Sequence, residues 1–164
     1  MATDAAVAPQ VELFLMGVET RICPEEGLAH QQTLPPGALP ASLADPLFLN
    51  YLHSRFAAAT EERLHVVYCD EQERYLFDET LVIGGKNSLG MRARPLIHRA
   101  FSIGAGSLVI AHNHLSGDCR PSQKDILATR HLQDLGDALD LRLLDHMIFT
   151  RKRFFSMAAA GMLR

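Results

Sequence analysis

A short, uninterrupted apolar run at residues 107–111, SLVIA, places the strongest constraint on the fold. Such a run is typical of a strand that is buried on both faces of a sheet. It is followed by a loop and then by residues 121–139, whose apolar side chains recur with a helical period. Because helices must cover such a sheet, the pattern predicts a mixed α/β domain with a central sheet. The predicted buried stripe of this helix comprises Ile126, Leu127, Leu132, Leu135 and Leu139.

Helical periods, β-branched and aromatic runs, and turn residues predict the other elements. In chain order they are a helix within 46–62, a strand at 63–70, a partner strand within 73–85 that ends at Gly84 and Gly85, a helix within 94–104 and a closing strand within 140–150. Pro95 is tolerated in the first turn of its helix. Residues 11–22 fit a strand or a short helix, and the sequence does not decide between them.

The length of 164 residues predicts one domain. Residues 24–46 contain five of the eight prolines, which is typical of a linker or a surface loop. We therefore predict an N-terminal extension or linker at residues 1–44 and a folded domain at residues 45–164.

Charge and cysteine content narrow the class of protein. The net charge is -3 and the pI is about 6.2, which argues against a dedicated nucleic-acid binder. The three cysteines are widely spaced, which predicts a reducing, cytoplasmic location without a disulfide framework. No signal peptide or membrane span is expected.

The segment AHNHLSGDCRPSQKD, residues 111–125, contains the candidate metal site. Side chains alternate along a strand, so His112 and His114 point to the same face. Asp125 falls in the first turn of the next helix and can face back towards them. Two histidines and one carboxylate suit zinc with a fourth position for water. They also suit non-haem iron, and SQKD alone predicts a helix-capping box of Ser122 and Asp125.

The motif HNHLSGDCRPSQKD resembles the signature of the JAMM (MPN+) metalloproteases, and with LLDH at residues 143–146 it is most similar to their RadC-like branch. The resemblance covers roughly residues 45–150. It implies a cytidine-deaminase-like MPN/JAB fold, a mixed central sheet flanked by helices. It also implies that His112, His114 and Asp125 bind Zn²⁺.

The resemblance further implies catalytic roles for two residues. Glu62, with Glu61 as the alternative, would act as general base and then acid. Ser122 would stabilise the oxyanion. The implied activity is a zinc-dependent metallopeptidase or isopeptidase acting at the C-terminus of a ubiquitin-like protein, with proteins of a conjugation system as possible partners.

Two other functions are considered. The first is a RadC-like DNA-associated factor or metal-dependent nuclease. Residues 1–44 do not resemble the N-terminal module of larger RadC-like proteins, so nucleic acid is not the expected partner. The second is a non-catalytic scaffold, which the complete set of site residues argues against.

Several neighbouring residues have open roles. Asp145 is predicted to share a strand face with Leu141, Leu143, Met147 and Phe149, and either accepts the free N–H of a ligand histidine or lies near solvent. His146 is expected to face the other way with a structural role. Cys119 is expected to be an exposed thiol, and Leu115 replaces a proline usual in the family. The basic clusters are Arg92, Arg94, His98 and Arg99, and residues 151–153.

Overall fold

The computed structural model describes residues 20–21, 43–82 and 93–164. Most of the predicted extension at residues 1–44 lies outside these ranges, as do Gly84, Gly85 and Arg92. Within the undecided stretch 11–22, two residues form the strand β1, Thr20–Arg21.

The sheet is mixed, as predicted. Its longer strands are Arg63–Cys69 (β2), Tyr75–Val82 (β3), Ser107–Asn113 (β4), Arg142–Phe149 (β5) and Arg153–Ser156 (β6). The spatial order is β1-β6-β5-β4-β2-β3. β4 and β5 are parallel, and the other neighbouring pairs are antiparallel. The predicted closing strand corresponds to β5, but the short strand β6 follows it and was not predicted.

In the described ranges, three helices cover the two faces of the sheet. They are Pro46–Ser54 (α1), Ala93–Ser102 (α2) and Gln123–Asp137 (α3). One core cluster joins α1 to residues such as Val67, Val109 and Phe149. A second core cluster, on the opposite face, joins α2 and α3 to residues such as Leu108 and Ile110. The predicted architecture, a central mixed sheet flanked by helices, is confirmed. None of the helices in the described part of the chain is long and apolar enough to cross a membrane.

The strand β4 is buried along its whole length, as its apolar run predicts. It lies between β2 and β5 and pairs with both. A strand in this position has all its backbone groups satisfied within the sheet, so the residues at its end are held rigidly. The site described below begins at that end.

The buried face of α3 differs from the predicted stripe. Leu132 is buried, but Leu127 and Leu139 are 56% and 41% exposed. The polar residues Thr129 and Gln133 are buried instead. The helix also packs closely at Gly136, where a Cβ atom would clash with the Leu141 carbonyl oxygen. This contact holds the end of α3 against the segment that leads into β5.

An irregularity in β5 explains a second error. The pairing shifts between Leu108 and Val109 of β4, so that Leu143 and Asp145 occupy successive positions. Strict alternation is broken at the extra residue, Leu144. Leu141 and Leu143 therefore pack in the α2–α3 cluster, whereas Leu144 packs on the α1 side. The prediction that Asp145 shares a face with Leu141 and Leu143 is wrong.

Candidate metal centre

Three potential ligands converge where β4 ends and α3 begins. Nε2 of His112 and Nε2 of His114 lie 2.9 Å apart. The carboxylate oxygens of Asp125 lie 3.5 Å from the first and 3.4 Å from the second. One donor atom from each residue lies within 4.8 Å of the others, and no other such group of His, Cys, Asp and Glu occurs in the described residues.

The capping box and the ligand position of Asp125 coexist. Ser122 Oγ accepts a hydrogen bond from the Asp125 N–H (3.2 Å), and Asp125 Oδ2 accepts one from the Ser122 N–H (2.7 Å). The Ser122 hydroxyl also donates to Asp125 Oδ2 (2.6 Å). The carboxylate is thus fixed by the start of the helix while its other oxygen, Oδ1, faces His112. The predicted cap is confirmed, and the same geometry leaves the carboxylate available to a cation.

The loop after β4 orients His114. Its backbone N–H donates to the Phe149 carbonyl (2.8 Å), which continues the parallel pairing beyond the end of β4. Its Nδ1 lies 2.8 Å from the carbonyl oxygen of Asp118. Because a carbonyl only accepts, Nδ1 carries the proton and Nε2 faces the cluster. Asp118 is itself held by Arg120, whose guanidinium binds both carboxylate oxygens.

The electrostatics of the cluster favour a cation. A hydrogen bond to Asp125 raises the pKa of His114 above its ordinary value, and partial burial opposes this only in part. Burial would raise the pKa of Asp125, but its hydrogen bonds with His114 and Ser122 hold it well below the usual range. Burial lowers the pKa of His112 to about 4. A carboxylate and a neutral imidazole therefore face the cluster, whereas His114 beside them holds a proton more tightly than a free histidine does.

His146 lies directly behind His112. Its Nε2 is 2.8 Å from His112 Nδ1, and its Nδ1 is 2.6 Å from the Thr129 hydroxyl. That hydroxyl donates to the Asp125 carbonyl (2.6 Å). His146 is 2% exposed, and burial lowers its pKa well below the ordinary value, so it is neutral. The sequence offered this position behind a ligand histidine as one of two alternatives for Asp145, and in the structure His146 occupies it.

Asp145 has a different role. It is buried, but on the α1 side of the sheet, where its neighbour in β4 is Val109. Its carboxylate accepts hydrogen bonds from the His146 N–H (2.7 Å), the Ser156 hydroxyl (2.5 Å) and the Ala158 N–H (2.9 Å). It thereby joins β5 to β6 and to the turn that follows, and it is not near solvent.

Asn113, between the two histidines, holds the segment that contains Glu62. Its side chain accepts a hydrogen bond from the Arg63 N–H (2.7 Å) and donates one to the Glu61 carbonyl (3.1 Å). These are the peptide groups on either side of Glu62. Leu64 pairs with His112, so Glu62, two residues earlier, lies beside His114, two residues later. The charge of Glu62 accordingly contributes to the raised pKa of His114.

Glu61, the alternative to Glu62, points elsewhere. Its carboxylate forms an ion pair with Arg63 at 3.3 Å, and its side chain is 46% exposed. Two further expectations concern the loop between β4 and α3. Cys119 is buried rather than exposed, so the predicted accessible thiol is wrong. Leu115 is 56% exposed beside the site.

A cavity of about 790 Å³ opens next to His114. Leu115 and Gly117 line one side, the segment after α1 lines another, and Arg151, Lys152 and Arg153 lie at the turn between β5 and β6. This basic turn is one of the two predicted clusters. In the other, Arg94 and His98 are exposed and Arg99 pairs with Glu79 at 3.5 Å. The cavity therefore reaches from the ligand group to a positively charged surface.

Comparisons with known proteins identify the family of the chain. The family model of the RadC-like JAB domain matches residues 45–162. The UPF0758 protein YkfG of Escherichia coli is 34% identical over 113 residues, which cover 69% of this chain and 72% of that protein. A UPF0758 protein of Cupriavidus pinatubonensis is 35% identical over 127 residues, which cover 77% of this chain and 56% of the relative. A UPF0758 protein of Staphylococcus carnosus is 32% identical over 112 residues, which cover 68% of this chain and 50% of the relative. The chain thus spans about half the length of several curated relatives.

Proposed function

The chain belongs to the RadC-like JAB domain family, and we propose that it is a zinc-dependent metallopeptidase or isopeptidase that cuts at the C-terminus of a ubiquitin-like protein. One observation carries the hydrolase proposal: His112, His114 and Asp125 present their donor atoms to one point, and Glu62 lies beside it. Family membership supports the same chemistry, and the ubiquitin-like substrate rests on the family resemblance.

The donor set fits zinc. Two imidazole nitrogens and one carboxylate oxygen are ligands that Zn²⁺ takes in catalytic sites, and three protein ligands leave a fourth position open. The carboxylate is held by its helix cap, and each histidine has a hydrogen-bond partner on its other nitrogen. Such partners fix the orientation of ligand rings. Zinc bound here would lower the pKa of a water to about 7 and polarise a carbonyl group.

The residues of the chain supply the remaining chemistry. Glu62, on its tethered segment, takes the proton of the attacking water and passes it to the departing amine. Ser122 stands next to Asp125, and its hydroxyl donates to the developing oxyanion once it turns from the carboxylate. The cap survives this rotation in part, because the Ser122 N–H still donates to Asp125.

The cavity beside His114 is the proposed path of the substrate chain. Its volume of about 790 Å³ lies within the range of about 300–1,000 Å³ that is usual for ligand pockets. Phe56, Ala57 and Ala59 give it an apolar wall. A narrow, extended C-terminal tail fits such a groove better than a folded surface does.

The test uses zinc-loaded full-length protein and a panel of ubiquitin-like fusion proteins, each with a peptide or isopeptide bond after its C-terminal residue. Glu62→Gln should keep about one zinc per chain and lose turnover by about 10²–10⁴-fold, the usual contribution of a general base. Glu61→Gln is the matched control and should stay active, because Glu61 pairs with Arg63 instead. If the zinc-loaded wild type cuts no member of the panel, the peptidase proposal is rejected. If Glu61→Gln is the inactive variant, the base has been misassigned.

A second candidate function, DNA association or metal-dependent nuclease activity, is favoured by one observation. Arg151, Lys152 and Arg153 line the cavity next to the ligand group and could contact phosphates. Binding of this kind weakens steeply with salt. DNA binding that falls at least tenfold between about 50 and 200 mM salt, and that Arg151→Ala reduces, would favour this function over the peptidase. Salt-independent or undetectable binding would remove it.

A further inference from the structure

His146 contacts the ring of His112 from behind, and Thr129 contacts His146, but neither takes part in the catalytic steps described so far. Both are buried, at 2% and 1% exposure, and they lie in a closed ring of polar contacts. The ring begins at the carboxylate of Asp125 and passes through His112, His146 and Thr129. It returns to the backbone carbonyl of Asp125. Asp125 thus contacts His112 through its carboxylate and Thr129 through its backbone carbonyl, and His146 links these two residues.

The direction of each hydrogen bond follows from the carbonyl at the end. A carbonyl oxygen can only accept, so the single proton of the Thr129 hydroxyl points at Asp125. Thr129 Oγ1 must then accept from His146 Nδ1. A neutral imidazole has one N–H and one lone pair. Nε2 of His146 therefore accepts, and the proton between His146 and His112 belongs to His112 Nδ1.

We propose that His146 and Thr129 are positioning residues that hold the proton of His112 on Nδ1, so that its Nε2 lone pair is free for the metal. A neutral histidine can carry its proton on either nitrogen, and only one of the two forms can bind a metal through Nε2. The chain selects that form before any metal arrives. This inference rests on the metal site of the proposed function, but not on its substrate.

A structural role alone would not produce this selection. A buried histidine that merely fills space would tolerate either tautomer. Here the contacts that run from the Asp125 carbonyl through Thr129 and His146 leave one position for the proton on the Nδ1 side of His112, because any other would set two protons or two lone pairs facing each other. Replacing the Thr129 hydroxyl by a methyl group removes the acceptor of the His146 Nδ1–H. The His146 proton is then expected to move to its Nε2, where it faces the proton on His112 Nδ1. The His112 proton is therefore expected to move to Nε2, the nitrogen that would bind the metal.

The first experiment places the protons directly. The full-length chain is labelled with ¹⁵N-histidine, stripped of metal with a chelator, and examined by long-range ¹H–¹⁵N correlation NMR near pH 7. His112 and His146 are both expected in the Nδ1–H form. A proton on Nε2 of His112 in the wild type would overturn the proposal. Because this measurement involves neither zinc nor substrate, it stays informative if the peptidase activity is absent.

The second experiment compares Thr129→Val with Thr129→Ser, which keeps the hydroxyl. Zinc alone is titrated in competition with a chromophoric chelator, and thermal unfolding of the metal-free proteins reports any loss of fold. Thr129→Val should bind zinc about 10–100-fold more weakly, the usual effect of losing a partner of a ligand histidine, with His112 shifted to the Nε2–H form. Thr129→Ser should resemble the wild type in both readouts. A folded Thr129→Val with wild-type affinity would refute the proposal. If Thr129→Val does not fold, the wild-type spectrum and the serine variant decide.

Discussion

Substitutions of Asp145 test whether its carboxylate stabilises the fold without affecting zinc affinity. Replacing it by alanine leaves two backbone N–H groups and one hydroxyl without their acceptor, namely those of His146, Ala158 and Ser156. Each buried donor left unsatisfied costs about 1–3 kcal/mol. Burial raises the pKa of Asp145, so the native carboxylate carries a desolvation cost that the variant escapes. We expect a net loss of about 3 kcal/mol in the free energy of unfolding.

Asp145→Asn is the matched control. Its amide oxygen can accept from both backbone N–H groups, which share Oδ1 in the native chain. Its NH₂ group can donate to Ser156, whose hydroxyl then accepts, so we expect a loss of about 1 kcal/mol. Urea denaturation of the metal-free proteins measures both values, and chelator competition measures zinc affinity. Because Asp145 does not contact His112, Asp145→Asn should bind zinc as the wild type does. A tenfold loss of zinc affinity with stability retained would show that the carboxylate acts on the site, and an Asp145→Ala variant as stable as the wild type would refute the reasoning about buried donors.

Three further predictions concern separate parts of the molecule. Asn113→Ala removes both hydrogen bonds that hold the Glu62 segment and should lower the free energy of unfolding by about 1–3 kcal/mol. Hydrogen exchange at the Arg63 amide should become faster while the zinc content stays unchanged, and unchanged exchange would contradict the tether. Ser122→Ala should lose about 1 kcal/mol of capping energy and about 10²-fold in turnover, and Ser122→Thr should restore the cap in urea denaturation. Burial lowers the pKa of His65 from 6.5 to about 4. The contribution of neutral His65 to the free energy of unfolding, on the order of 3 kcal/mol, is therefore present above pH 6.5 and is lost as the pH falls towards 4. His65→Gln should flatten this part of the stability profile, and parallel profiles for both proteins would refute it.

The sequence predicted the elements whose patterns are local. The unbroken apolar run of β4 identifies a central strand, and the SQKD pattern identifies the start of α3. The shared face of His112 and His114 follows from strand alternation, which holds through the end of β4. Each of these predictions depends on neighbours within a few residues, where backbone geometry alone decides the outcome.

The wrong predictions concern residues whose orientation or burial depends on contacts with distant parts of the chain. Which face of β5 meets His112 depends on the register of a parallel pair whose strands are 28 residues apart in the chain, and on the extra residue Leu144. Neither is encoded in the local pattern, so His146 and Asp145 exchanged their expected roles. The buried Thr129 of α3 was likewise missed, because its polar side chain is buried by virtue of its partner His146. Cys119 is buried by the fold of a loop that carries no periodic signal.

The position of Asn113 means that, under the proposed function, metal binding and hydrolysis depend on different parts of the chain. The three candidate ligands come from one continuous stretch of 14 residues, His112–Asp125, whereas Glu62 immediately precedes β2, and its segment is held by Asn113 at the end of β4. Loss of the tether or of Glu62 leaves the ligands untouched. Under the proposed function, a single substitution at Glu62 would abolish hydrolysis and leave a folded domain that keeps its three candidate metal ligands. Under the proposed function, bound metal alone would therefore be no evidence of turnover, which would also require Glu62 and the Asn113 tether.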